Sequence, residues 1–174
     1  IVRSLVGSEM CIRDSLYKDI YDLDYVTLRY FNVYGPRQRA GSPYAGVIAN
    51  WAHSLLMQKP LVVYGDGKQT RDFIHVSDVV RANVKAIDVP TTGFTTYNIC
   101  SEGKTSLNTI LNHLRMITRY TFGIQYEEAR KGEVQDSSGV NVRARVGLEW
   151  EPATNLYDGL QSLLRWRGVE CKNE

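Results

Sequence analysis

The run "GDGKQTRDFIHVSDVVRANVKAI", residues 65–87, carries a turn, a strand and a helix without a break. Gly65 and Gly67 permit a tight turn or a close backbone approach. "TRDFIHV", residues 70–76, reads as a short strand. Alternation along it sets Arg71, Phe73 and His75 on one face, against Asp72 and Ile74 on the other. Ser77 is the expected N-cap of the helix "DVVRANVKAI", residues 78–87, which must stop before Pro90. A strand that feeds directly into a helix is the unit of an α/β fold.

The chain on either side repeats that alternation. Upstream, "YVTLRYF", residues 25–31, is rich in β-branched and aromatic residues and reads as a buried strand. Gly35, Pro36, Gly41 and Pro43 mark residues 35–46 as a loop. Val47, Ile48, Trp51, Leu55 and Leu56 then recur at helical spacing, and "LVVYGDG" is a strand ending in a turn. Downstream, "TTYNIC" and "GIQYEEA" are strand candidates. Between them Thr105 or Ser106 caps a helix whose Leu107, Ile110, Leu111 and Leu114 form one stripe. After Pro152, Thr154 or Asn155 opens a last helix, with Leu156, Leu160, Leu163 and Leu164 on one face and Gly168 as its stop. The core these elements can bury is small, so the strand–helix pairs are expected to belong to a larger sheet.

Composition narrows the classes. The 174 residues are 43% hydrophobic and 23% charged, with a net charge of +2 from 21 basic and 19 acidic side chains. Charge this balanced leaves no electrostatic footprint for nucleic acid. No apolar run approaches the ~20 residues of a membrane span. Cys11, Cys100 and Cys171 show no paired spacing. That argues against a disulfide scaffold and suits a reducing cytoplasm. No His, Cys or carboxylate cluster has metal-ligand spacing, so no metal is expected; His75 and His113 are expected to make structural hydrogen bonds. The tyrosines at 17, 21, 25, 30 and 34 read as packing.

The opening stretch fits none of this. "SLVGSEMCIRDS", residues 4–15, starts no helix or strand. A transposon adapter used in sequencing libraries translates, in one frame, as Leu-Val-Gly-Ser-Glu-Met-Cys-Ile-Arg-Asp, which matches Leu5 to Asp14 without a gap. Residues 1–15 are therefore expected to be adapter-derived, with native sequence starting near Leu16.

Three segments are candidates for chemistry. In "LRYFNVYGPRQ", Asn32 stands at the carboxyl end of a strand, where open α/β sheets hold ligands. Taken alone, Asn32 equally well satisfies turn backbone. In "TRDFIHV", Arg71 is either an exposed strand residue or, if it points into a cleft, a planar fork for phosphate. In "EEARKGEVQDS", Arg130 is either part of a solvated charge run or a third member of a polyanion clamp.

These motifs, with "SPYAGVI", "YNICSEGKTSLN" and "LEWEP" in the same order, resemble the carboxyl-terminal half of nucleotide-sugar epimerases and dehydratases of the extended short-chain dehydrogenase/reductase family. The likeness covers roughly residues 16–167. "RYFNVYGPRQ" followed by "YAGVI" most resembles UDP-glucose and UDP-N-acetylglucosamine 4-epimerases. The resemblance implies that residues 16–174 are the carboxyl-terminal part of a Rossmann-type doubly wound sheet plus a small α/β substrate-binding lobe. It implies NAD as cofactor, a UDP-sugar as ligand, and a parent enzyme that is cytoplasmic and a possible homodimer. Asn32, Arg71 and Arg130 match positions on the diphosphate. Tyr64, Val47, Ile48 and Ala49 match positions around the base, and Glu133 an acidic position near the nucleotide. Tyr30, Phe31 and Val33 match the segment along the nicotinamide. The family's Gly-rich dinucleotide fingerprint is not in these residues, nor is its Tyr-x-x-x-Lys pair on a helix: Tyr17 is followed four residues on by Tyr21, and Tyr64 and Lys68, though so spaced, flank the Gly65–Gly67 turn. The chain is thus expected to be a truncated half, inactive alone. Alternatives within the family are a nucleotide-sugar 4,6-dehydratase or a UDP-glucuronate decarboxylase; outside enzymes, a nucleotide-sugar or NAD(P)-sensing module on the same fold. Cys100, Val140 and Glu149 depart from the family's usual Gly, Asp and Gly. Cys100 could crowd a close approach, and Val140 removes a helix cap that Asn141 could replace.

Overall fold

The computed structural model describes residues 20–21, 25–41, 45–89, 96–119 and 121–172. The stretch read as adapter, the expected start at Leu16 and Tyr17 lie outside these residues.

The strands are β1 (Thr27–Tyr30), β2 (Asn32–Tyr34), β3 (Leu61–Tyr64), β4 (Thr70–Arg71), β5 (Phe73–His75), β6 (Thr96–Ile99), β7 (Thr105–Ser106), β8 (Ile124–Glu127) and β9 (Asp136–Ser137). The helices are α1 (Val47–Leu56), α2 (Val76–Ile87), α3 (Leu107–Ile117), α4 (Val142–Gly147) and α5 (Leu156–Arg167). β1 pairs with β6, β2 with β5 and β3 with β8, all parallel. β4 lies between antiparallel β7 and parallel β9. Parallel pairs joined through helices make this an α/β fold, as the alternation predicts.

The expected strand "TRDFIHV" breaks in two, the expected strand "YVTLRYF" gives way after Phe31 to a further strand, β2, and the two corners meet. "YVTLRYFNV" changes partner at Phe31: the Phe31 N–H donates to Ile99 O at 3.1 Å, and the Asn32 N–H donates to Asp72 O at 3.0 Å. "TRDFIHV" breaks at Asp72, whose side chain is fully buried. Its Oδ1 accepts from Ser101 N at 2.8 Å and from Ser101 Oγ at 2.7 Å, while Oδ2 accepts from Gly139 N at 3.2 Å. One buried carboxylate thus ties the β4–β5 corner to the turn after β6 and to the segment after β9. A buried charge is tolerable because its acceptor sites are filled. The Phe31 ring lies where a side chain at Gly139 would stand, so only glycine fits there.

Apolar side chains gather in two clusters. In the larger, α1, α3 and α5 close over β3 through Trp51, Leu55, Leu61, Val63, Ile110, Leu114, Leu160 and Leu163. The Trp51 indole N–H donates to Val62 O at 2.8 Å, which pins α1 to β3. In the smaller, Val79 and Ala82 of α2 and Ala144 of α4 meet Ile74, Tyr97, Ile99, Leu148 and Trp150.

The structure amends several expectations. β1 is not a buried strand: Arg29 and Tyr30 are exposed, and β6 is its single strand partner among the described residues. His75, not Ser77, caps α2, its Nδ1 accepting from Ser77 N at 3.3 Å. Ser106, Asn155 and Gly168 take their expected capping places, Gly168 with φ 80°. Asn141 stands at the start of α4 but caps nothing with its side chain, which instead donates to Cys100 O at 2.9 Å. Cys100 is fully buried, and burial pushes its thiol up to about 11. Of the tyrosines read as packing, Tyr34 is buried, whereas Tyr30 is exposed and donates to Asn83 Oδ1 at 2.9 Å.

Candidate functional site

A cleft of about 570 Å³ opens between β2, β3, β4, the start of α1 and the turn after β8. Four separate segments deliver its chemistry. The break at Phe31 places Asn32 at the head of β2, with its Nδ2 donating to Asp72 O at 3.2 Å. Alternation on β4 and β5 turns Arg71 and Phe73 to the cleft while Asp72 and Ile74 are buried behind them. β3 ends at Tyr64, where the Gly65 turn (φ 77°) begins. The turn after β8, fixed by the Glu133 N–H donating to Arg130 O at 3.1 Å, carries Arg130 and Glu133 to the same wall.

Two guanidinium groups face one carboxylate among the lining residues. Arg71 is held firmly: Nη1 donates to Thr70 O at 2.8 Å and Gln135 O at 3.3 Å, and Nη2 donates to Glu133 Oε1 at 3.1 Å. The Arg130 guanidinium lies over the Tyr64 ring, 4.1 Å from its centroid, a cation–π contact. Val47 and Ile48 give the cleft an apolar rim at the start of α1, where Gly46 offers no side-chain cap to the first amides of the helix. Tyr34 also borders the cleft. Burial, with Asp78 and Asp158 adding to it, pushes the Tyr34 hydroxyl well above its ordinary value, so it stays protonated at neutral pH.

Of the residues expected in the site, Asn32, Val33, Val47, Ile48, Tyr64, Arg71, Arg130 and Glu133 meet at this cleft. Ala49 does not line it; it is fully buried on the other side of α1. Tyr30 lines a second groove beside α2, and the Phe31 ring packs at Gly139. The described residues therefore suit a nucleoside diphosphate: paired cations for an anion, an aromatic face and an apolar rim. Of the three residues along the expected nicotinamide segment, Val33 reaches this cleft.

Sequence reasoning missed Gln38 and Gln69. Both line the cleft; Gln38 Nε2 donates to Val33 O at 3.2 Å and Gln69 Nε2 to Tyr64 O at 2.7 Å. Gln69 is only 6% exposed, which a polar residue two places beyond a Gly turn does not advertise.

The sequence model of the NAD dependent epimerase/dehydratase family matches residues 9–100, a span that begins within the stretch read as adapter. A putative UDP-glucose 4-epimerase of Methanocaldococcus jannaschii is 32% identical over 87% of this chain and 48% of its own length. A UDP-N-acetyl-alpha-D-glucosaminuronate decarboxylase of Bacillus cytotoxicus is 33% identical over 83% of this chain and 46% of its own. The crystal structure of a UDP-glucose 4-epimerase of Thermotoga maritima with UDP-glucose superposes with a TM-score of 0.81, at 35% identity, over 92% of this chain and 50% of that one. The chain spans about half the length of these relatives.

Proposed function

The chain belongs to the NAD dependent epimerase/dehydratase family, and on that footing we propose that its described residues are the nucleotide-sugar-holding part of a UDP-sugar 4-epimerase whose dinucleotide-binding part lies outside them. The observation that carries the reading is the convergence of Asn32, Arg71, Tyr64, Arg130 and Glu133, from separate elements, on one cleft.

In this reading NAD, when bound, supplies the hydride acceptor and donor at C4 of the sugar. The chain's own residues do the holding. An epimerase must return a hydride to the opposite face of a sugar that has turned over, so the sugar itself is gripped loosely. Binding has to come from the part that does not react. Arg71 and Arg130 would take the diphosphate, Asn32 would steady it from the head of β2, and Tyr64 with the Val47–Ile48 rim would receive the base. Arg71 is well suited to the role because two backbone carbonyls fix its guanidinium before any ligand arrives. Such preorganisation lowers the ordering cost of binding. No Gly-rich fingerprint is among these residues, and the Tyr-x-x-x-Lys spacing they do contain, Tyr64 to Lys68, spans the turn after β3, with Lys68 paired to Asp66, so turnover is not proposed for them alone.

The decarboxylase reading shares this anchor and is favoured by the relative of that activity. Proton NMR of the intact protein with NAD separates the two. UDP-glucose or UDP-N-acetylglucosamine should gain the resonances of its C4 epimer. Loss of carboxylate from a UDP-hexuronate, with no epimer of the neutral sugars, would favour the decarboxylase. No change in any UDP-sugar would sink both.

A further inference from the structure

Both cations of the cleft are engaged by groups that also face it. Arg71 is bonded to the Glu133 carboxylate at 3.1 Å, with the two side chains only 18% and 29% exposed. Arg130 covers the Tyr64 ring at 4.1 Å. A carboxylate released from its arginine is an acceptor for hydroxyl groups, and an aromatic face released from a guanidinium is a platform for a flat base. Neither release is free, because each leaves a partly shielded group without its partner.

Resting on the nucleotide-sugar reading above, we infer that Glu133 and Tyr64 are the resting partners of the two arginines, and that a diphosphate draws both arginines off and so uncovers the two groups that receive the nucleoside. Arg71 need not swing far, since the carbonyls of Thr70 and Gln135 hold it on β4 whatever Glu133 does. A nucleoside diphosphate satisfies all four groups: its phosphates take the arginines, its hydroxyls take Glu133 and its base takes Tyr64. Inorganic pyrophosphate takes the arginines but leaves the carboxylate unpaired and the ring bare. A nucleoside alone must break both contacts and offers the arginines nothing. Discrimination then lies in what each incomplete ligand leaves unpaired, as much as in the contacts made.

The test is calorimetric titration of the intact protein with inorganic pyrophosphate and with UDP, for wild type, Glu133→Gln and Tyr64→Leu. Neither side chain is buried, so both variants keep the core. Each substitution frees one arginine, and pyrophosphate should bind about threefold to tenfold tighter to each variant, the scale of a partly exposed ion pair or cation–π contact. UDP should bind more weakly to both variants, because the group that received the nucleoside is gone. Opposite shifts for the two ligands are the signature. Pyrophosphate binding that is unchanged or weaker in either variant, or UDP and pyrophosphate moving together, overturns the inference. Failure of wild type to bind UDP at all would instead overturn the nucleotide-sugar reading beneath it.

Discussion

At the scale of single residues, Asp72 does more than its sequence context promises. Strand alternation correctly sends it away from Arg71, but nothing in "TRDFIHV" says that it will be fully buried and accept from both Ser101 and Gly139. Those partners lie 29 and 67 residues away, beyond the reach of any local pattern. Asp72→Asn would turn one acceptor into a donor facing an N–H group. Hydrogen bonds to a charged group contribute about 1.5–3 kcal/mol each, so urea denaturation should show a loss of at least about 2 kcal/mol. A change below about 0.5 kcal/mol, the range of ordinary surface substitutions, would show that the carboxylate is not the tie described. Arg71 was legible in part: alternation set it on the face away from Asp72, but left open whether that face met solvent or a cleft. Glu133 was legible only through likeness to relatives, since a lone acid in a charged run carries no signal of its own.

At the scale of elements, helices read more clearly than strands. The stripe of α3 is buried as its spacing predicts, and that of α5 is too except for the half-buried Leu156, because 3.6-residue periodicity is a local property. Strand partners are not local: the expected strand stopped at Phe31, but neither β2 beyond it nor the break at Asp72 could be read. The cap of α2 shows the same limit. Ser77 has the better capping chemistry, yet His75 takes the place. The Ser162 hydroxyl donates to Gly159 O at 2.8 Å, so its contact with His75 Nε2 at 3.2 Å requires Nε2 to carry the proton. Nδ1 is then the acceptor, taking the Ser77 hydroxyl at 2.7 Å and Ser77 N at 3.3 Å. Burial lowers the His75 pKa, with Asp78 acting against it. The folded protein therefore resists a proton that the unfolded chain accepts below its ordinary value of about 6.5. The cap's contribution should be complete above that pH and should shrink as pH falls below it towards the folded value. Asn also caps well but does not titrate. Denaturation of wild type and His75→Asn between pH 7.5 and pH 5 should show the wild type losing stability faster on acidification. Parallel pH profiles would mean that His75 does not cap α2 as a neutral imidazole.

At the scale of the whole molecule, the α/β class was legible from alternation alone, and the family from the order of its motifs. The division into two apolar clusters was not, because it depends on which strands pair. The cleft lies where β2 and β5 join those clusters: Val33 packs against the smaller one and Phe73 against the larger. That position is why residues from distant parts of the chain converge there, and why the sequence could name the anchors singly but not show them facing one another. The proposed role of this cleft is to hold a nucleoside diphosphate through its arginines. Calorimetric titration of UDP into the intact protein, wild type against Arg71→Ala, tests it most directly. A charge-assisted bond of about 1.5–3 kcal/mol sets an expected loss of roughly 10- to 150-fold in affinity, only partly restored by Arg71→Lys, which keeps the charge but not the fork. Equal affinity of UDP for wild type and Arg71→Ala would contradict it, leaving Arg71 as nothing more than the ion-pair partner of Glu133.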